Sequence, residues 1–260
     1  MTLRPLATAL TIALACTLPA FGETADRLDI VLKRGTLRVG TTMDTPVFSM
    51  RKDGQLEGFD MDALQSLGAA LGVRIDYVKM TFGSMLADLA ADKFDVAMSG
   101  MGRTLDRARV ATFSKPYLRY GKLLMIRSAD KDKFKSLSDV DRPGVRVTYN
   151  KGGLNDRFAN TMFKQATPTG FDSNEEATAA LIAGKVDAQV SDSTAALYMA
   201  KNDPRLAVMD PEHVFNPVYV AILLRRDDQT LLNFINIWID QIEMDGTLAK
   251  IRAKWLGEAR

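Results

Sequence analysis

Apolar and polar positions along the chain switch repeatedly between two periods. Residues 36–42 (TLRVGTT) form a β-branched run that predicts a strand. In 58–71, Phe59, Ala63, Leu64, Leu67, Ala70 and Leu71 fall at helical spacing, and Gly72 supplies a helix stop. A strand at 74–80, a helix at 83–91 and a strand at 94–98 complete a βαβαβ series. That order predicts a parallel sheet with helices on both faces.

A second round follows, with strands at 145–149 and 186–190 and helices at 155–163, 173–183 and 192–201. A strand at 219–224 and helices at 229–244 and 247–255 close the chain. The two rounds echo each other: 92–100 (DKFDVAMSG) aligns without gaps to 184–192 (GKVDAQVSD). Each segment reads as a helix end, a turn, a strand and a small polar residue, as expected of two similar lobes. In open α/β sheets ligands sit beyond the carboxyl ends of strands. Ser99-Gly100 and Ser191-Asp192 therefore face each other if the lobes do.

Charge and composition narrow the function. The chain has 260 residues with a formal net charge of +2, so no basic field points to nucleic acid. Residues 1–22 read as a secretory signal, with Arg4 before an apolar stretch and Ala20-Phe21-Gly22 as a cleavage site, so that the mature chain begins at Glu23. The single cysteine, Cys16, lies inside that segment; an alternative makes it a lipid-anchored N-terminus. With that cysteine and one histidine, His213, thiolate catalysis and a His-rich metal site are excluded, and no cofactor is expected.

Four blocks resemble the extracellular solute-binding proteins, family 3, of polar amino-acid ABC transporters: 37–42 (LRVGTT), 58–62 (GFDMD), 93–101 (KFDVAMSGM) and 104–117 (TLDRARVATFSKPY). The resemblance implies a type II periplasmic-binding-protein-like α/β fold. Two doubly wound lobes would be joined by crossover strands near 121–125 and 218–221, with lobe 1 at 23–120 plus 218–260 and lobe 2 at 121–217. It also implies a monomer in the periplasm that hands a small amino-acid-like carboxylate to an inner-membrane ABC permease. Within the family, 117–122 (YLRYGK), 141–145 (DRPGV) and 150–158 (NKGGLNDRF) are most similar to a cyclohexadienyl dehydratase subgroup, which converts prephenate or arogenate.

The same resemblance assigns residues. Arg107 would grip the ligand carboxylate, a task for a guanidinium fork. Phe82 would lie against the ligand, and Asp192 would receive its α-amino group, although Asp192 also suits a helix N-cap. Ser99, Gly100, Gly102 and Gly153 would offer hydroxyl or backbone groups, and glycine at the last two would widen the cleft. Gly152-Gly153 reads as a helix N-terminus able to cradle a carboxylate or as a simple turn. Asp60 is either a partner for a cationic ligand or a helix cap, and Thr42, Asp44, Thr45 and Phe48 would form the rim.

Binder and enzyme differ at one position. The dehydratase subgroup carries its general acid three residues after the Asp192 equivalent, where this chain has Ala195, and its threonine after the paired glycines is Leu154 here. Alanine donates no proton, and loss of a general acid costs about 10²–10⁴-fold in rate. The sequence thus favours binding without turnover, with the dehydratase as the alternative.

Overall fold

The structure, a computed structural model, describes residues 26–257. The expected signal segment, Cys16 and the start at Glu23 lie outside the described residues. The first part of the chain runs α1 (Arg27–Arg34), β1 (Thr36–Thr41), β2 (Asp44–Thr45), β3 (Ser49–Lys52), β4 (Gln55–Glu57), α2 (Phe59–Leu71), β5 (Arg74–Lys79), α3 (Met85–Ala90), β6 (Val96–Ala97), α4 (Leu105–Ala108) and β7 (Thr112–Phe113). The middle part runs β8 (Leu118–Arg127), α5 (Leu137–Val140), β9 (Arg146–Asn150), α6 (Leu154–Met162), β10 (Thr167–Phe171), α7 (Asn174–Ile182), β11 (Ala188–Asp192), α8 (Ser193–Asn202), β12 (Leu206–Met209) and β13 (Phe215–Val220). The chain closes with β14 (Leu223–Leu224), α9 (Gln229–Met244) and α10 (Thr247–Leu256). No helix among the described residues is long and apolar enough to cross a membrane.

These elements build two sheet-centred lobes. One sheet has the order β5-β1-β6-β14-β7; the other has β10-β9-β11-β8-β12, with β13 also on β8. The sheets are mixed rather than wholly parallel. β14 runs against β6 and β7, and β8 runs against β11, β12 and β13. The expected single strand over 219–224 is in fact two, because the chain changes sheets there: β13 ends at Val220 in the second and β14 begins at Leu223 in the first. A small antiparallel sheet, β2-β3-β4, sits beside the first lobe.

Each sheet has a buried apolar cluster on both faces. Phe59, Leu64, Leu67 and Trp238 cover one face of the first sheet, and Met85, Leu89 and Phe94 the other. In β8, Leu124 and Ile126 join one cluster of the second lobe and Leu123 and Met125 the other. Successive side chains of a strand point to opposite faces, so a strand covered on both sides reads as an unbroken apolar run.

The echo between the two rounds corresponds to a repeated clamp. In the first lobe Asp95 accepts from the Arg38 backbone N–H at 2.8 Å and from Arg38 Nη2 at 2.9 Å. In the second, Asp187 accepts from the Arg146 backbone N–H at 3.0 Å and from Arg146 Nη2 at 2.9 Å. The return bonds also match, Asp95 N to Arg38 O at 2.9 Å and Asp187 N to Arg146 O at 2.8 Å. Asp95 is fully buried and also pairs with Arg27 and Arg34. Removing one member of a buried ion network leaves the others uncompensated, which costs about 3–5 kcal/mol. Asp95→Asn is therefore expected to lose about that much stability in urea denaturation. Asp187→Asn should lose less, because the Arg146 side chain is 45% exposed.

Candidate functional site

The carboxyl ends of both sheets open into one narrow chamber between the lobes, of about 10 Å³. The first lobe contributes Thr45, Phe82, Gly100, Gly102 and Arg107; β8 contributes Tyr120 and Lys122; the second lobe contributes Asn150, Gly153, Leu154, Asn155 and Asp192, with Asn174 at the edge. Of the residues singled out in the sequence, Arg107, Phe82, Thr45, Gly100, Gly102, Gly153 and Asp192 meet here. Thr42 instead lines an adjoining outer groove.

Arg107 belongs to the short helix α4, whose start is fixed by Thr104 Oγ1 accepting from the Arg107 N–H at 3.2 Å. Its side chain turns inward, is only 8% exposed, and donates from Nη1 to the Gly102 carbonyl at 2.9 Å. Burial, above all, pulls the guanidinium below the usual arginine range. No salt bridge among the described residues involves Arg107.

Asp192 ends β11 and stands at the N-cap of α8, yet its side chain makes no capping bond. It is instead salt-bridged to Lys122 Nζ, which is 2% exposed. Burial lowers the Lys122 pKa and Asp192 opposes that shift. The aspartate expected to receive an α-amino group thus already has an ammonium partner from the protein. Three charged groups line the chamber, two cations and one carboxylate. The remainder is one positive charge.

Asn155 adds a second unmet demand. Its Nδ2 donates to Asn150 Oδ1 at 2.8 Å, while its own Oδ1 is buried without a partner. Buried acceptors left unpaired are costly, so a donor from a ligand is favoured there.

Several expectations change. Asp60 and Ser99 do not line the chamber. Asp60 is fully buried behind Gly100, accepting from the Gly100 N–H at 2.7 Å and from Tyr117 Oη at 2.9 Å. The Gly100 carbonyl is taken by Tyr120 Oη at 2.9 Å, so both backbone groups of Gly100 are held from within the protein. Ser99 Oγ is tied to Ser49 Oγ at 2.8 Å and Thr42 Oγ1 at 2.9 Å. Phe48 is not at the rim but fully buried, and a side chain at Gly100 would strike its ring at 2.8 Å. Gly100 also has φ +64°, so glycine is required there. Nor does Gly102 widen the cleft: Leu154 from the other lobe fills the space, its Cδ1 2.5 Å from where a Cβ would stand. The two departures compensate each other.

Sequence reasoning missed Lys122, Tyr120, Asn150 and Asn155 as chamber residues. A signal existed for Lys122, a lone charge in the apolar run 120–126.

A sequence model of the bacterial extracellular solute-binding proteins, family 3, matches residues 37–258. The chain belongs to that family. Cyclohexadienyl dehydratase of Pseudomonas aeruginosa is 35% identical to this family 3 protein over 88% of this chain and 86% of its own. The crystal structure of an ancestral amino acid-binding protein, described as a precursor of cyclohexadienyl dehydratase, superposes with a TM-score of 0.83 at 36% identity, covering 88% of this chain and 99% of that one. An ancestral cyclohexadienyl dehydratase is 43% identical with a TM-score of 0.55, covering 89% of this chain and 97% of that one.

Burial raises the Asp60 carboxyl to about 7, against the hydrogen bonds from Gly100 and Tyr117. An unfolded aspartate titrates near ~3.9, so between about pH 4 and 7 the native family 3 protein holds a proton that the unfolded chain releases. The Asp60 contribution to stability is therefore expected to fall as pH rises through that window, by no more than ~4 kcal/mol. Asp60→Asn should flatten that part of the stability–pH curve, measured by denaturant titration at several pH values.

Proposed function

We propose that this protein is a periplasmic solute-binding protein that captures a small carboxylate by closure of its lobes and delivers it to an ABC transporter. One observation carries the reading: Arg107 is a buried guanidinium with no carboxylate among the described residues paired to it, facing a chamber whose own charges sum to one positive. A ligand carboxylate supplies the missing charge and, held by the fork of one guanidinium, is fixed in orientation. The free Asn155 Oδ1 favours a hydroxyl or amine donor on the same molecule. Because Lys122 already occupies Asp192, the α-amine is not needed for charge balance. Phe82 and the N–H groups of Gly102 and Gly153 complete the proposed contacts.

Closure has its own contacts. Asp44 Oδ2 of the first lobe accepts from the backbone N–H of Asn174, the first residue of α7, at 3.0 Å. Arg157 Nη1 donates to Asp106 Oδ2 across the cleft at 2.7 Å. Gly83 and Gly152 pack so closely that a side chain on Gly152 would lie 2.6 Å from the Gly83 backbone. These bonds form only when the lobes meet, so they favour the closed population together with the ligand.

A second reading, dehydration of a cyclohexadienyl acid, is favoured by the 35% identical enzyme and by Lys122, a buried cation in the chamber. Against it stands Ala195, buried on α8 where a proton donor would be needed. The purified protein is expected to release no phenylpyruvate from prephenate; release at enzymic rates would establish the second reading instead.

Under the first reading, amino and hydroxy acids should raise the melting temperature in a thermal-shift panel. Arg107→Ala should weaken that binding at least about 30-fold, and Arg107→Lys should not restore it. Asp44→Ala should weaken it about fivefold, through a less populated closed form seen as a larger radius of gyration in solution scattering.

A further inference from the structure

The chamber does not end at its outer wall. Phe82, Asn150 and Asn174 border both it and a wider groove between the lobes, of about 910 Å³ and partly open to solvent. The groove differs in chemistry from the chamber. Met80 and Thr42 are buried in its floor, and Met43, Met50, Ile182 and Met199 line it half-buried. The side walls come from both lobes, so the groove, like the chamber, is assembled by closure. Apart from the half-buried Asp44, its charges stand at the mouth, where Lys151 pairs with Asp172 at 2.8 Å and Arg51, Lys79, Glu175 and Glu176 are exposed. Met43 is held there with φ +62°, a conformation that costs a non-glycine residue free energy.

From this we infer that the ligand is a long carboxylate: its acid end sits on Arg107, and an apolar tail passes Phe82 into the methionine-lined groove. Methionine is flexible and polarisable, so such walls adapt to tails of different shape. The narrow inner chamber, with Leu154 filling the place above Gly102, has no room for a bulky body. An apolar tail recovers free energy by leaving water, and each added methylene deepens that gain. The inference rests on the solute-binding reading and extends it to the class of ligand.

The test is calorimetric titration of the mature protein with alanine, norvaline, norleucine and 2-aminooctanoate, and with the 2-hydroxy acids of the same lengths. Affinity should rise about fourfold per methylene. Ile182→Asp, on the groove wall and outside the chamber, should abolish that rise while leaving alanine or lactate binding unchanged. Flat affinity along the series, or tighter binding of lysine than of norleucine, would overturn the apolar-tail assignment and leave the solute-binding reading intact. Absence of binding by every member, the shortest included, would overturn both.

Discussion

A charge buried without its counter-ion sets the terms for the whole cleft. Water would solvate the Arg107 guanidinium better than the protein does, and the hydrogen bond to the Gly102 carbonyl satisfies only part of it. Everything around it keeps the demand unmet. Asp192 lies in the same chamber, but Lys122 from β8 holds it. Asp60 is nearby in the chain's fold, yet it is spent on the backbone of Gly100 and on Tyr117. Neither of these two acids pairs with the guanidinium, which is the ground for proposing an external anion there.

The fold itself was largely legible because it follows from periodicity. α9 runs Gln229–Met244, as its apolar spacing predicts, and Gly72 ends α2 in a left-handed conformation, as a terminal glycine should. Strand direction was less legible. Apolar runs mark a strand as buried on both faces but carry no sign for parallel or antiparallel pairing, so β8 and β14 were not distinguishable from their neighbours. Short elements such as β2, β7 and α4 were also missed, since two to four residues hold too little pattern.

Within the candidate site, legibility followed chemistry rather than position. Arg107 stood out through the family resemblance, and the fold places it in the chamber. Asp60 and Ser99 were misplaced because sequence shows that a polar residue is near a strand end, not which side of the wall it faces. Lys122 and Asn155 were overlooked for the converse reason: their significance lies in partners 70 and five residues away, and only the folded chain brings those together or leaves an oxygen bare. The compensation between Gly102 and Leu154 is likewise invisible until both lobes are in place.

The sheet order has a consequence for how the polypeptide reaches this form. Every strand of the second sheet lies between Leu118 and Val220, so that half is complete once its own stretch has been made. The first sheet cannot close until Leu223–Leu224 slots between β6 and β7, and the apolar face begun by α2 is not fully covered until α9 and α10 arrive. Early contacts in that half must therefore wait for partners at the far end of the chain, a long-range closure that slows folding.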